Sequence, residues 1–173
     1  MTTAFVFPGQ GSQSVGMGKD LFDGEFKNRY DIVDKLFAQY HQDTYHQILS
    51  NVVFQGPEDD LTKTVFTQPA ILTMSLVLAE KLKEKIANGE LTKPAFVAGH
   101  SLGEFSALYM ADVLSFEDTV KLVIARAALM QEAPKGAMTA IIGMNDQDVK
   151  AFTDKSQDVS IANFNSPEQV VIT

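Results

Sequence analysis

Residues 97–110, VAGHSLGEFSALYM, constrain the fold most, because an apolar strand-like run meets a helical pattern across only a few residues. The pentapeptide GHSLG fits G-x-S-x-G, a tight strand-to-helix turn that exposes its serine. The turn needs small residues at Gly99 and Gly103, and it lifts Ser101 to a helix N-terminus. There the free backbone N–H groups, beginning with that of Leu102, can stabilise an oxyanion. Ser101 is therefore a candidate nucleophile, and the alternative is a serine that only caps a helix.

The surrounding pattern predicts an α/β fold with a parallel sheet. Residues 3–7 and 95–99 are short, continuous apolar runs that end at glycine-rich turns, which is typical of strands buried on both faces by helices. Helical periodicity separates the two runs at residues 25–40 and again at residues 68–88, where Thr67 would be the N-cap. Two further helices are expected at residues 102–110 and from Ser115, with Asp118 completing a capping pair.

The pattern changes near residue 134. From there the sequence predicts a strand, a helix capped by Asn145, a second strand, a turn at NSPE and a last strand. We therefore expect a large α/β subdomain at residues 1–133 and the start of a small α+β subdomain at residues 134–173. Because the sequence stops on an apolar strand, the small subdomain is expected to be incomplete.

Composition excludes several classes of function. The 14 Lys and Arg against 22 Asp and Glu give a net charge of −8, which disfavours nucleic acid and anionic membrane surfaces as partners. There is no cysteine, so disulfides, a thiolate nucleophile and a cysteine zinc site are excluded. The N-terminus lacks the pattern of a secretory signal, and no apolar run approaches the roughly 20 residues of a membrane-spanning helix. A cytoplasmic protein is expected.

Arg126 is the second candidate functional residue. It lies in VKLVIARAALM and would share a helix face with Leu122, Val123, Leu129 and Met130. A guanidinium on an apolar face needs an anion or a set of carbonyl groups to offset its desolvation. An internal salt bridge, a snorkelling side chain and a bound ligand all satisfy this requirement.

Taken together, the motifs resemble those of one enzyme family. FPGQGSQ, TQPAILTMS, GHSLGE, Arg126, MQEAPKGAM and NFNSPEQVVI occur in the order and at about the spacing found in the malonyl-CoA:acyl carrier protein transacylases and their acyltransferase-domain relatives. The resemblance covers essentially the whole chain. It implies a hydrolase-like α/β part with an inserted ferredoxin-like part.

The resemblance also implies an activity, which is transfer of a malonyl group from malonyl-CoA to the phosphopantetheine thiol of acyl carrier protein, in fatty acid or polyketide synthesis. Ser101 would carry the malonyl ester, the backbone N–H groups of Gln10 and Leu102 would hold the oxyanion, and Arg126 would grip the malonyl carboxylate. Gln68 and Asn163 would line the substrate pocket, and His100 is expected at the wall of the active site. No metal or other cofactor is expected.

The chain departs from the family mainly in the general base, for which it offers no suitable histidine. The chain has three histidines. His100 is a poor base, because adjacent side chains diverge at a tight turn, and His41 and His46 are expected in solvent. In the family, the base is a histidine in a segment that follows the small subdomain. Three explanations stay open: a fragment of a longer chain, a degenerate protein, or a piece that assembles with a second chain.

A smaller departure is Asp112, where relatives carry a glycine at a helix end. Two other functions also stay open from the sequence. A serine esterase or thioesterase would explain GHSLG but not Arg126 or the N-terminal glycine loop. An inactive fragment that binds CoA or carrier protein would retain affinity without forming a serine ester.

Overall fold

The computed structural model describes residues 2–22, 26–134 and 136–173. The chain divides into two compact units, Met1–Glu132 and Ala133–Thr173. The elements of the first unit are β1 (Ala4–Phe7), α1 (Lys19–Phe22), α2 (Lys27–Tyr40), α3 (Leu49–Gln55), α4 (Glu58–Leu61), α5 (Thr64–Ala87), β2 (Phe96–Gly99), α6 (Gly103–Met110) and α7 (Phe116–Glu132). Those of the second unit are β3 (Thr139–Ile142), α8 (Asp146–Thr153), β4 (Ile161–Ser166) and β5 (Gln169–Ile172).

The sheet of the first unit is parallel, as predicted. Strands β1 and β2 pair in register from Ala4 opposite Phe96 to Phe7 opposite Gly99. Alternate residues face the helices, and Phe7 belongs to the core. Burial on both faces, however, is a wrong expectation, because Val6 is 77% exposed and Phe96 is 68% exposed. Among the described residues, helices therefore cover one side of these two strands.

Helix α5 is the centre of the first unit. Nearly all of its first half is buried, and its residues contribute much of the hydrophobic core. By length and composition this helix could span a membrane, but 72% of its most apolar window is buried within the protein. The expectation that no segment approaches a membrane-spanning length is therefore wrong for α5. Its hydropathy is explained by burial among the other helices of the same unit.

Helix α5 also begins earlier than predicted. It starts at Thr64 with Lys63 as N-cap, so Thr67 and Pro69 lie inside the helix. The Thr67 hydroxyl donates to the carbonyls of Leu61 and Lys63 rather than capping free N–H groups. The helix ends as predicted, with Asn88 as C-cap and Gly89 at a φ of 76°. Of the predicted helix at residues 25–40, residue 25 lies outside the described part, and α2 occupies the rest from Lys27.

Helix α7 begins with the predicted cap. The Ser115 hydroxyl accepts from the Asp118 N–H at 3.1 Å and donates to the Asp118 carboxylate at 2.7 Å. At the end of α6, Asp112 has a φ of 61°, the left-handed conformation in which glycine is most favourable. Lys83 holds the Asp112 carboxylate at 2.6 Å. Aspartate thus replaces the expected glycine at the cost of backbone strain.

The second unit is a small α+β unit, as predicted. Strand β5 lies between β3 and β4 and runs antiparallel to both. Strands β3 and β4 are therefore parallel to each other with α8 connecting them, which is the split β-α-β arrangement of ferredoxin-like folds. The Asn145 side chain caps α8 by accepting from the Asp148 N–H at 2.9 Å. Strand β4 continues to Ser166, so the predicted turn is shorter than the NSPE segment.

Candidate active site

Ser101 lies on the sharp turn between β2 and α6. Strand β2 ends at Gly99 and helix α6 begins at Gly103, so three residues reverse the course of the chain. The φ of Ser101 is 51°, in the left-handed region that non-glycine residues rarely adopt. Ser101 is exposed. A strained, exposed serine at this point has the geometry of a nucleophile elbow.

The two glycines of the turn are required by close backbone packing. A Cβ on Gly99 would collide with the carbonyl group of Gly103, and a Cβ on Gly103 would collide with the carbonyl oxygen of Phe7. Both obstacles are backbone atoms, which cannot rotate away as a side chain would. The G-x-S-x-G spacing therefore reflects the approach of β2, α6 and the end of β1 to one another.

The glycine loop after β1 packs against the serine turn. The His100 N–H donates to the Phe7 carbonyl at 3.2 Å. A Cβ on Gly9 would come within 2.9 Å of His100 Nδ1 and of the His100 carbonyl oxygen. His100, which the sequence placed at the wall of the site, is exposed and lies against this loop.

Gln10 and Leu102 supply the two N–H groups expected to hold an oxyanion. Within residues 2–22, 26–134 and 136–173, neither of these N–H groups donates to another protein group. Leu102 itself is buried, and its N–H stands at the start of α6. The Gln10 side chain donates to Thr64 Oγ1 at 3.5 Å, which ties the glycine loop to the start of α5.

Arg126 reaches Ser101 from helix α7. Its Nη2 donates to Ser101 Oγ at 2.9 Å, and its Nη1 donates to Gln68 Oε1 at 2.6 Å. The guanidinium carbon lies 5.9 Å from the ring centre of Phe105, so the cation also faces an aromatic ring. Three residues that the sequence separates by up to 58 positions thus meet at one point.

Arg126 has no carboxylate partner within the described part of the chain, where every salt bridge involves other cations. The internal salt bridge that the sequence left open is thereby ruled out for the described residues. Arg126 is half-buried, although Leu122 and Leu129 on the same helix face are largely exposed. A partly desolvated guanidinium paired only with neutral groups still has capacity for an anion.

Gln68 is fully buried, whereas a glutamine at a helix N-terminus would be expected at the surface. The reason is the early start of α5, which places Gln68 in the second turn and inside the core. Its Nε2 donates to Met130 Sδ at 3.2 Å. Sequence analysis gave no role to Met130, although its position four residues after Arg126 puts both on one helix face.

The exposure predicted for His41 and His46 is wrong for one of them. His46 is exposed as expected, but His41 is buried and packs among the rings of Phe37, Tyr40 and Tyr45. Burial lowers the pKa of His41, and the opposing effect of Glu132 is smaller. The aromatic periodicity of α2 continues into His41, which explains the burial.

Asn163 lies in β4, in the second unit, and is half-buried. It pairs with Val171 of β5. The described contacts of Ser101 lie within the first unit, whereas Asn163 belongs to the sheet of the second. Its assignment to the substrate pocket stays a prediction.

The arrangement of the first unit fits chemistry at a carbonyl carbon. It presents an exposed hydroxyl at a strained turn, two N–H groups that no group in the described part of the chain uses, and a cation beside the hydroxyl. Free N–H groups at such a turn are the usual means of stabilising a tetrahedral oxyanion. Guanidinium cannot accept a proton, so Arg126 cannot be the base for such chemistry.

Comparison with known proteins gives the family of this chain. The model of the acyl transferase domain matches residues 4–173, so the chain belongs to that family. It is 43% identical to malonyl CoA-acyl carrier protein transacylase from Bacillus subtilis, over 98% of this chain and 52% of that protein. The chain spans about half the length of the curated relatives it matches.

Solved structures agree with the family assignment. Malonyl-CoA:ACP transacylase from Synechocystis sp. PCC 6803 superposes with a TM-score of 0.85 at 38% identity, covering 99% of this chain and 54% of that one. A malonyl-transacylase solved in complex with its type II PKS acyl-carrier protein gives a TM-score of 0.77 at 42% identity, with the same 99% coverage and 54% of that chain.

Proposed function

We propose that this chain carries the acylation site of a malonyl-CoA:acyl carrier protein acyltransferase. The observation that carries the proposal is the Arg126 guanidinium, which lies 2.9 Å from Ser101 Oγ and has no carboxylate partner among the described residues. An acyl group bound at Ser101 would place a terminal carboxylate within reach of this cation. Guanidinium and carboxylate form paired hydrogen bonds that orient the acyl chain as well as attract it.

In the first half of the reaction, Ser101 Oγ attacks the thioester carbonyl carbon of malonyl-CoA and gives up its proton to a base. The N–H groups of Gln10 and Leu102 stabilise the oxyanion that develops on the carbonyl oxygen. When the tetrahedral intermediate collapses, the carbon–sulfur bond breaks and CoA leaves as its thiol with the proton from the base. The malonyl group then remains on Ser101 as an ester.

The second half reverses these steps with a different thiol. The phosphopantetheine thiol of acyl carrier protein attacks the ester carbonyl, its proton passes to the base, and the same two N–H groups hold the oxyanion. Ser101 leaves with that proton, and the malonyl group moves to the carrier protein as a thioester. Arg126 keeps the carboxylate in place throughout, and Gln68 holds Arg126.

For the proton acceptor we propose a histidine outside these 173 residues. The curated relatives are about twice as long as this chain, which leaves room for it. His41 does not fit the role because aromatic rings enclose it. His100 and Asn163 are proposed as residues that line the substrate pocket.

The proposed partners are malonyl-CoA and acyl carrier protein. The complex of a related transacylase with its acyl-carrier protein supports the second partner. Carrier proteins of this kind are acidic, and since this chain has a net charge of −8, contact must depend on local Lys and Arg. We propose a cytoplasmic location, and neither nucleic acid nor a membrane as a partner.

The test is acylation of Ser101 followed by intact-mass measurement. The chain is incubated with malonyl-CoA or acetyl-CoA in buffer containing imidazole, which supplies a soluble proton acceptor. We expect one malonyl group on Ser101, little acetylation, and no labelling of Ser101→Ala. Arg126→Ala should lose the preference for malonyl-CoA, whereas Lys121→Ala, a cation on the same helix paired with Glu117, should retain it.

Two results would contradict the proposal. Equal labelling by acetyl-CoA and malonyl-CoA in the unmodified chain would show that Arg126 does not select the acyl group. Release of free malonic acid without a thiol acceptor, at the rate at which CoA appears, would identify a thioesterase instead of a transferase.

A further inference from the structure

The two terminal nitrogens of Arg126 have different surroundings. Nη1 donates to the amide oxygen of Gln68, which is fully buried. Nη2 donates to the hydroxyl of Ser101, which is exposed. One side of the guanidinium therefore faces the core and the other faces the position where a ligand would enter.

Gln68 holds the inner side in one orientation. Its amide nitrogen donates to Met130 Sδ at 3.2 Å, so its oxygen is turned toward Arg126. A flipped amide would place an N–H donor against another donor at a distance of 2.6 Å. Gln68 therefore acts as a positioning residue that keeps Nη1 fixed while Nη2 is able to change partner.

The outer contact makes Ser101 a weaker nucleophile. A hydroxyl oxygen attacks a carbonyl through a lone pair, and the Arg126 N–H is directed at that oxygen. The guanidinium cannot take the hydroxyl proton, so its contact lowers the nucleophilicity of Ser101 without activating it. The contact occupies one of the two lone pairs of Oγ, so attack becomes faster when Nη2 is drawn away.

We propose that the substrate carboxylate itself draws Nη2 away, so that the Ser101–Arg126 hydrogen bond is a gate opened only by acyl groups that carry an acid. This inference rests on the proposed function and adds to it a mechanism of selection. A carboxylate is a stronger acceptor for guanidinium than a hydroxyl is, which drives the exchange. Acetyl groups would leave the gate closed, so selection acts on the rate of acylation as well as on binding.

The gate makes a thermodynamic prediction that needs no catalysis. In the unmodified chain malonate must break the Ser101–Arg126 bond, so removing the hydroxyl should strengthen malonate binding. Since a hydrogen bond to a charged group at an exposed site contributes modestly, we expect the Kd of malonate to fall about three- to tenfold in Ser101→Ala. Isothermal titration calorimetry with sodium malonate measures this directly.

Two further variants make the result specific. Ser101→Gly also removes the hydroxyl and suits the φ of 51°, so both substitutions should tighten binding if the hydroxyl is responsible. Ser160→Ala, at an exposed serine of the second unit, should leave the Kd unchanged. Tighter binding in both serine variants would thereby be attributed to loss of the hydroxyl contact and not to distortion of the turn.

The outcomes distinguish the gate from the proposed function. If malonate binds the unmodified chain and Arg126→Ala abolishes binding, the carboxylate site is supported regardless of the results with the serine variants. Unchanged or weaker malonate binding in both Ser101→Ala and Ser101→Gly would then overturn the gate alone. Absence of any Arg126-dependent binding of malonate would overturn both.

Discussion

The close packing at Gly103 leads to a sharp prediction for stability. A Cβ on Gly103 would collide with the Phe7 carbonyl oxygen and would lie 2.8 Å from the Phe7 carbonyl carbon and 2.9 Å from the Pro8 carbonyl oxygen. All three obstacles are backbone atoms of β1 and the loop after it. Gly103→Ala therefore forces β1 and α6 apart instead of moving a side chain.

The cost should exceed that of an ordinary overpacked core position. Added methyl groups typically cost about 1–3 kcal/mol, and a rigid backbone obstacle belongs at or above the upper end of that range. We expect Gly103→Ala to lower the free energy of unfolding by about 3 kcal/mol. For a chain of this length, that loss corresponds to a fall of roughly 6–12 °C in Tm.

Urea unfolding followed by the helical circular dichroism signal is the appropriate assay, because α1 to α7 all lie in the first unit. Gly136→Ala, in the second unit, is the control for an added methyl group, since a Cβ there meets no atom within 4 Å and its φ lies outside the left-handed region. It should unfold at or slightly above the midpoint of the unmodified chain. If Gly103→Ala is within about 0.5 kcal/mol of the control, close approach at the turn is not what requires glycine.

Three further predictions concern groups away from Ser101. Glu80→Ala should lower the free energy of unfolding by about 2–3 kcal/mol in urea titrations, because the Glu80 carboxylate holds Arg29 by two contacts of 2.9 Å and its side chain is only 13% exposed. Burial lowers the pKa of His41, so the unfolded chain binds the proton more readily. Stability should fall as the pH drops below about 6.5, and His41→Phe should lessen that fall. Asp112→Gly should be at least as stable as the unmodified chain, because relief of the strain at a φ of 61° offsets the lost contact with Lys83. Asp112→Ala loses that contact without the relief and should be about 1 kcal/mol less stable in thermal melts.

Each of these predictions has a clear contrary result. A Glu80→Ala change below about 0.5 kcal/mol would show that water replaces the carboxylate at no cost. An unchanged pH profile in His41→Phe would assign the acid sensitivity to other groups. The half-buried Asp34 is not one of them, because its raised pKa favours the folded state as the pH falls. Equal stability of the glycine and alanine variants at Asp112 would show that the backbone there is not strained.

The local elements were largely predictable from sequence. The serine turn, both parallel strands and the caps at Ser115 and Asn145 follow from short patterns whose physical basis lies within a few residues. The start of α5 was not predictable, because Thr67 and Pro69 both resemble N-terminal residues. Core contacts determine where α5 starts, since burial of Val65 and Phe66 extends the helix by one turn.

The candidate site was less predictable from sequence than the local elements were. Arg126 could be named from its apolar helix face, but its meeting with Gln68 and Ser101 could be expected only from the resemblance to a family, since composition and periodicity do not join α5 to α7. Sequence reasoning missed Met130, whose contact with Gln68 depends on tertiary packing. It also misplaced His41, because the predicted helix ended at Tyr40 and the next residue, which continues the buried face, was expected in solvent.

The proposed function separates recognition of the acyl group from proton transfer. Gln68 and Arg126 lie on α5 and α7, two long helices packed against each other in the same unit as Ser101. Neither residue can accept the serine proton, and the proposed base lies elsewhere. Under the proposed function, the affinity for the acid group is therefore a property of this unit, whereas the rate of ester formation depends on the base as well. Variants of Gln68 or Arg126 should accordingly change malonate affinity even where no turnover is measured, which distinguishes a selecting residue from a proton-transferring one.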